Sequence, residues 1–375
     1  MAILPGSTVG MLGGGQLGRM FTIAARSLGY DVIVLDPDPH SPAGGLASEH
    51  LASAYDDREA LDYLATHCDV VTTEFENIPA DTLAYLARSV AVHPSADALQ
   101  VAQHRLREKE FFRAQGLDTA EFLAIESVAD LDKAGGFPFP AILKTSTLGY
   151  DGKGQVVCEN FAALADAYQQ IGARSCVLEQ RIDLACEVSV VLGRARDGEV
   201  TCFPIAENRH ANGILDVTLV PASISTALAE RTLDAARRIA DGLDYCGVLA
   251  VEFFISMDGR VLVNEMAPRP HNSGHYTLDA CATSQFEQQL RMVCGLPGGS
   301  CELHRPVAML NLLGDIWPAG AIPPWDEVLA LPRAKLHLYG KKEARPGRKM
   351  GHINCLGDTI EDAETLLEQV RQLLS

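Results

Sequence analysis

Two apolar runs, Val248-Leu249-Ala250-Val251-Glu252-Phe253-Phe254-Ile255 and Val261-Leu262-Val263-Asn264-Glu265-Met266, flank the connection Met257-Asp258-Gly259-Arg260. Both runs have the length and the β-branched and aromatic content of strands, and Asp-Gly between such runs is a strong hairpin signal. A two-residue turn at Asp258-Gly259 sets Glu252 opposite Glu265. Directly opposed residues have Cβ atoms roughly 5 Å apart on one face, so two like charges there repel unless a cation intervenes. Hard ions such as Mg2+ take carboxylate oxygens and leave their other positions to water or substrate phosphates. The pair therefore reads as half of a nucleotide-metal site. A solvated hairpin, with glutamates blunting an exposed sheet edge, is the alternative.

At 375 residues the chain is too long for one ordinary core and suggests two to four domains. Its 47% hydrophobic and 21% charged content is that of a globular enzyme. The start, Met1 to Gly10, lacks the basic and apolar segments of a leader, and no run is long enough to span a bilayer, so a cytoplasmic location is expected. Ten cysteines without CxxC or Cys/His spacing read as buried small hydrophobes. A net charge of -18 argues against nucleic acid and anionic membranes as partners. Against that background Lys341 to Lys349 is an exception: Lys341, Lys342, Arg345, Arg348 and Lys349 face a single acid, Glu343, around Pro346-Gly347. A tight basic turn suits a phosphate ester; a solvated loop offsetting acidic neighbours is the other reading.

The first hundred residues alternate strand and helix. Ser7 to Leu12 is a strand, glycines 13, 14, 15 and 18 follow, and Leu17, Met20, Phe21, Ala24, Ala25 and Leu28 recur at helical spacing up to Gly29. Asp31 to Asp36, Val70 to Glu74 and Val90 to His93 are further strands, separated by helices near Arg58 to Thr66 and after Pro79. This predicts a parallel α/β unit over residues 1 to about 95. Gly13, Gly15 and Gly18 satisfy GxGxxG and Asp36 sits where a ribose-binding acid would, which keeps a nicotinamide-dependent oxidoreductase open. Such turns also bind other anions through backbone N–H groups. Glu74 and Glu76 lie past a strand's carboxyl end, where open α/β sheets bind ligands; Glu76 serves equally well as a helix-entry acid.

Beyond this unit, Ser95 is expected to cap one helix running to Gln115, carrying Arg105 and Lys109 on a face that could simply be solvated. Pro140 to Lys144 is a strand ending in lysine. Gly149-Tyr150-Asp151-Gly152-Lys153-Gly154-Gln155 after it can form a flap whose N–H groups meet nucleotide phosphates, or an ordinary hairpin loop. No GxxxxGK[ST] is present, which argues against a Walker-type NTPase. Cys176 to Ile182 offers an extended segment to an adenine edge, and Glu187 opens the next strand. Ser284-Gln285-Phe286-Glu287 reads as a capping box, Pro306 to Leu313 as a strand and Ile360 to Leu374 as a terminal helix.

The order strand lysine, glycine flap, Glu-Gln segment, glutamate, two-Glu hairpin resembles the ATP-grasp superfamily. In detail, Gly14-Gly15-Gln16-Leu17-Gly18-Arg19-Met20, the Gly149 to Gln155 run, Asn264-Glu265-Met266-Ala267-Pro268-Arg269-Pro270-His271-Asn272-Ser273-Gly274-His275, and Arg345-Pro346-Gly347-Arg348-Lys349-Met350-Gly351-His352 resemble the 5-(carboxyamino)imidazole ribonucleotide synthases of purine biosynthesis. The resemblance spans nearly the whole chain, and its last two runs are the most specific.

The resemblance implies an α/β and α+β ATP-grasp architecture: a Rossmann-like parallel acceptor-binding domain at 1–103, a small mobile lid at 104–185, and an antiparallel-sheet domain with the metal site and the basic loop at 186–375. It implies ATP-dependent carboxylation of aminoimidazole ribonucleotide with bicarbonate through carboxyphosphate, with ATP and Mg2+ as cofactors and a homodimer as the assembly. Arg105, Lys144, Gly149, Tyr150, Asp151, Gly152, Lys153, Gly154, Gln155, Glu179, Gln180, Arg181, Ile182, Glu187, His210, Asn264 and Glu265 would contact ATP, and Glu252 and Glu265 would hold the metal. Gln16, Glu74, Glu76, Arg269, His271, Asn272, Ser273, Lys341, Arg348 and Lys349 would bind the ribonucleotide. Tyr150, Asp151, Lys153, Arg269 and His271 are the candidate catalytic residues, although His271 and His275 could equally be structural. Ala267 stands where many superfamily members place a metal-binding Asn, which leaves two carboxylates for the metal. Another ATP-grasp ligase or carboxylase with a phosphorylated acceptor, or a catalytically silent nucleotide-binding protein, would share much of this pattern.

Overall fold

The computed structural model describes residues 1–147, 154–317 and 322–375, which build three β-sheets. The first sheet is parallel: β1 (Thr8–Leu12), β2 (Asp31–Leu35), β3 (Glu49–Leu51), β4 (Val70–Thr73) and β5 (Ala91–His93), in the order β3-β2-β1-β4-β5. Helices α1 (Gln16–Ser27), α2 (Arg58–His67) and α3 (Ala80–Leu86) connect its strands. Val9, Met11, Val32, Val34 and Val70 pack on one face of this sheet, and Leu12, Ile33, Leu35 and Val71 on the other. That accounts for unbroken apolar strands where a half-exposed sheet would alternate. The expected parallel unit is present; β3 is an addition too short and polar to register in the periodicity.

The single helix expected from Ser95 to Gln115 is two: α4 (Ala96–Ala102) and α5 (Arg105–Ala114). Ser95 does cap α4, accepting from Ala98 N–H. The break at Gln103-His104 is held from outside the helix. Gln103 Nε2 donates to the carbonyls of Glu76 and Ile78, each at 2.7 Å, while Arg105 N–H reaches Ser146 O at 2.9 Å. Those bonds re-aim α5 so that it packs on the large sheet through Phe111 and Phe112.

The second sheet consists of β6 (Phe122–Ile125), β7 (Ala141–Thr145), β8 (Gln155–Cys158) and β9 (Cys176–Gln180), antiparallel in the order β6-β9-β7-β8, with α6 (Leu164–Gln170) against it. Its core of Leu143, Leu178, Cys158, Leu164 and Tyr168 is separate from the others. The third sheet has nine strands: β10 (Leu184–Arg194), β11 (Val200–Cys202), β12 (Ala206–Ala211), β13 (Ile214–Val220), β14 (Gly247–Ser256), β15 (Val261–Ala267), β16 (Val307–Leu313), β17 (Ala334–Leu338) and β18 (Lys349–Leu356). They run β15-β14-β10-β12-β13-β16-β18-β17, with β11 beside β10. Around them lie α7 (Thr226–Gly242), α8 (Thr277–Ala280), α9 (Gln285–Val293), α10 (Trp325–Leu329) and α11 (Ile360–Leu374). Phe286, Leu290 and Val293 of α9 pack with Met20 and Phe21 of α1, joining the parallel sheet to the nine-stranded one. Ser284 caps α9 by accepting from Glu287 N–H at 3.1 Å, but the expected capping box is half-formed because the Glu287 carboxylate turns to Arg291 instead.

The hairpin of β14 and β15 differs from its expected turn and keeps its expected register. Ser256 N–H bonds Arg260 O at 3.1 Å, leaving a three-residue connection, Met257 to Gly259, with Gly259 at φ +79, where a Cβ would be strained. That longer turn pairs Phe253 with Val263 and, unaltered, would set Glu252 against Asn264. A bulge inserts Asn264 as an extra residue, so Glu252 again faces Glu265. The longer turn and the bulge cancel.

Candidate active site

Glu252 and Glu265 lie side by side on the face of the hairpin toward α5 and the segment after β15. Burial and the neighbouring Glu265 charge push the Glu252 carboxyl up to about 7. Burial opposes ionisation of Glu265 too, but Arg105 and Lys144 hold its pKa down at about 2, with Arg105 Nη1 donating to Oε2 at 2.8 Å. A divalent cation between the two carboxylates would offset both their burial and their mutual repulsion, so the pair fits one. Among the described residues no group of three or more His, Cys, Asp or Glu side chains is arranged to hold a metal, so the protein's contribution would be these two carboxylates.

Beside this pair the two central strands of the four-stranded sheet, β7 and β9, present their charges. Lys144 at the end of β7 and Lys109 of α5 both donate to Glu179 Oε2, at 2.9 and 3.2 Å. Glu179 is fully buried and its pKa falls to about 2: burial raises it, but the two lysines outweigh that. Gln180 closes β9, and Arg181 and Ile182 belong to the short link into β10, so they span the junction of the two antiparallel sheets. On adjacent strands of the nine-stranded sheet, His210 Nδ1 of β12 lies 3.0 Å from Glu187 Oε2 of β10; burial works against imidazolium, yet this contact and the nearby carboxylate charges raise the His210 pKa. Gly154 and Gln155 enter β8. Gly149, Tyr150, Asp151, Gly152 and Lys153 lie outside the described residues. Lys144 and His210 thus both act on Glu265, with Glu179 beside the one, Glu187 beside the other and Asn264 next in the chain.

On the other side stands the β1–α1 turn. Gly18 N–H donates to Glu74 Oε2 at 2.6 Å, and Gly15 N–H donates to Glu74 Oε1. Gly14 N–H donates to Asp36 Oδ2 at 2.6 Å, which also accepts from Tyr55. A Cβ on Gly18 would stand 2.7 Å from Gly13 O, so the close approach requires glycine. The anion position at the start of α1, which a dinucleotide pyrophosphate would need, is therefore filled by the protein's own Glu74. The oxidoreductase reading fails on this point. Glu74, expected to touch substrate directly, spends its carboxylate on shaping the turn. Replacing Glu74 with alanine strands two helix-start N–H groups and should cost about 2–4 kcal/mol of stability, seen as a lowered urea midpoint. A loss below about 0.5 kcal/mol would show that the turn holds itself.

Glu76 pairs with Arg269, whose charge and hydrogen bond keep it ionised although burial opposes this. His271 follows on the same segment. Ser273 N–H donates to His271 Nδ1, and the Ser273 hydroxyl lies 2.9 Å from the same nitrogen. Because a backbone N–H can only donate, Nδ1 is the acceptor and Nε2 carries the proton, 3.4 Å from Glu252 Oε1. Burial and the Arg269 and Lys349 charges depress the His271 pKa to about 3, so the ring is neutral. Ser273 is anchored in turn by Ser189, Asn208 and Thr218, a buried hydrogen-bonded series. Both amide atoms of Asn272 are buried and make no hydrogen bond among the described residues. Finally, Lys341 Nζ donates to Gln16 Oε1 at 2.7 Å and to Lys349 O at 2.6 Å, drawing the basic loop between β17 and β18 onto the β1–α1 turn. Arg348 remains on that loop, donating to Glu343 O at 2.9 Å.

Known proteins resemble this chain over nearly its whole length. Family descriptions match three successive stretches: a ribonucleotide synthetase preATP-grasp domain over residues 6–103, an ATP-grasp domain over 110–286, and a phosphoribosylaminoimidazole carboxylase C-terminal domain over 307–366. The N5-carboxyaminoimidazole ribonucleotide synthase of Bacillus subtilis (strain 168) is 43% identical over 355 residues, covering 94% of this chain and 92% of its own length. The chain belongs to the N5-carboxyaminoimidazole ribonucleotide synthase family. A crystal structure of such a synthetase with ADP superposes with TM-score 0.93 at 43% identity, covering 99% of this chain and 97% of the other. The Aspergillus clavatus synthase, solved with ADP and 5-aminoimidazole ribonucleotide, gives TM-score 0.91 at 34% identity over 98% of both chains. No helix among the described residues is long and apolar enough to cross a membrane.

Within this synthase fold, several site-building residues carry no signal at sequence level. Glu108 is buried, accepts from Met266 N–H at 2.7 Å, and is pushed up to about 8 by burial and by Glu265. Gln285, which reads in the sequence as part of a helix cap, accepts from His271 N–H at 2.9 Å and donates to His271 O and His275 Nδ1 at 2.8 and 2.9 Å, fixing the His271 loop. Only its complete burial, invisible in a string of letters, separates it from a surface glutamine.

Proposed function

We propose that this chain carboxylates 5-aminoimidazole ribonucleotide at the expense of ATP, giving 5-(carboxyamino)imidazole ribonucleotide, ADP and phosphate, a step of purine biosynthesis. The γ-phosphoryl group passes to a bicarbonate oxygen, forming carboxyphosphate and ADP. Carboxyphosphate then releases CO2 and phosphate within the site, and the exocyclic amine attacks the CO2 carbon and loses a proton. One observation carries the reading: two facing carboxylates, Glu252 and Glu265, stand between Arg105 and Lys144 on one side and Arg269 and His271 on the other. Phosphoryl transfer asks chiefly for neutralised, positioned charge, and this arrangement supplies both.

Mg2+ held by Glu252 and Glu265 would neutralise the phosphate oxygens during transfer. Lys144, the Gly149 to Gln155 flap, residues Glu179 to Ile182, Glu187 and His210 take the nucleotide in this reading. Gln16, Asn272, Lys341, Arg348 and Lys349 take the ribonucleotide, with the basic loop on its 5′-phosphate. Arg269 and the neutral His271, an Nε2–H donor, stabilise anionic species between the two. Tyr150, Asp151 and Lys153 complete the catalytic set, and the flap excludes water from the short-lived carboxyphosphate. The functional units run from 1 to 103, 104 to 185 and 186 to 375, in a cytoplasmic homodimer; the ten cysteines, all free thiols, suit a reducing compartment.

The deciding experiment measures ADP release with ATP and Mg2+ while bicarbonate and aminoimidazole ribonucleotide are added separately and together. Strong stimulation by the ribonucleotide is the expected result. ADP release indifferent to it would remove the acceptor and favour another ATP-grasp reaction.

A further inference from the structure

Lys109 is assigned to neither substrate, yet it is as buried as the core around it. Its side chain and that of Glu179 are each 2% exposed, while that of Lys144 is 11% exposed. Both lysines donate to the same oxygen, Glu179 Oε2, and Glu179 Oε1 makes no hydrogen bond among the described residues. Lys109 Nζ also reaches the carbonyl of Asn264 at 3.3 Å, the bulged residue that restores the Glu252–Glu265 register. It therefore links β9 of the four-stranded sheet to the carboxylate strand β15.

One buried carboxylate with two ammonium partners carries one more cation than it needs. We propose that Lys109 is a positioning residue that stays as the resident counter-ion of Glu179 and thereby releases Lys144 to the phosphates of ATP. With Lys109 in place, Lys144 can turn to the triphosphate without leaving an unpaired carboxylate in the interior. Without it, the same movement strips Glu179 of its last partner, and an uncompensated buried charge is costly. The inference rests on the reading that Lys144 meets ATP phosphates.

The test is direct binding of ATP and of adenosine, by calorimetry, to Lys109→Met, Glu179→Gln, the double variant and Lys144→Met. Lys109→Met leaves the Glu179–Lys144 pair intact, so the free protein keeps its fold, while its ATP Kd should rise about tenfold or more. Adenosine, having no phosphate, should bind with its Kd changed by less than about twofold. Adding Glu179→Gln to Lys109→Met removes the carboxylate that traps Lys144 and should restore most of the ATP affinity relative to that of adenosine, the reference that absorbs any direct contact of Glu179 with the nucleotide. An unchanged ATP Kd in Lys109→Met, equal losses for ATP and adenosine, or no recovery in the double variant would each overturn the proposal. If Lys109→Met does not fold, Glu179→Gln alone decides through the ratio of its ATP and adenosine affinities, because Glu179 is itself in the nucleotide set: a ratio shifted toward ATP supports the release of Lys144, and an unchanged or lower ratio refutes it. Lys144→Met separates the two levels. Unchanged ATP binding there removes the Lys144 reading itself, whereas a loss there beside a silent Lys109→Met removes only the role of Lys109.

Discussion

Glutamine in place of Glu265 lowers ADP formation by roughly a hundredfold or more at saturating ribonucleotide, with the melting temperature held near that of the parent chain. The side chain keeps its shape and can still accept from Arg105 Nη1, and loss of one charge relieves the repulsion that raises the Glu252 pKa. Folding is thus spared while half of the carboxylate pair is removed. The deficit should shrink as Mg2+ is raised, because a weakened site fills by mass action. Steady-state ADP release across a magnesium titration, with a thermal melt beside it, is the check. Near-normal turnover at low magnesium contradicts a metal role for this pair.

Alanine at Lys341 raises the KM for the ribonucleotide by about 10- to 100-fold and leaves the KM for ATP within about threefold. Lys341 bridges Gln16 and the Lys349 carbonyl, so its loss removes a cation and also lets the basic loop drift from the β1–α1 turn. Neither partner lies at the Lys144 or Glu179 end of the site. The two KM values from one initial-rate grid decide the matter: equal rises in both would refute an acceptor-side role and recast the loop as a scaffold for the whole site.

The Glu252–Glu265 pairing is legible in the sequence because strand register is a short-range property of turn length and side-chain period. Even so, the molecule reaches that pairing by a different route from the expected one. A three-residue turn replaces the two-residue one and the Asn264 bulge restores the count, and the bulge sits where Lys109 grips a carbonyl from another part of the chain. The Ser95 to Gln115 segment departs from expectation for the same kind of reason. Its local propensities favour one helix, and the break at Gln103-His104 is held by the partners that Gln103 and Arg105 find near residues 76 and 146. At Glu74, composition and position indicate a carboxylate at the ligand end of a parallel sheet. Whether it faces a ligand or the glycine turn depends on how far α1 sits from β4, which no window of sequence contains.

The amino-acid order by itself determined the alternation of elements, the opposed glutamates, the strand lysine and the basic loop, since each follows from residue type and spacing within about twenty positions. Tertiary structure alone decided which charges are spent and which are offered. Glu74 and Glu76 are taken up by the turn and by Arg269, His271 is made neutral, and Lys109 is withdrawn into the interior beside Glu179. The reason is physical: the strength of a charge depends on its distance to other charges and on exclusion of water, and both are set by contacts between residues far apart in the chain.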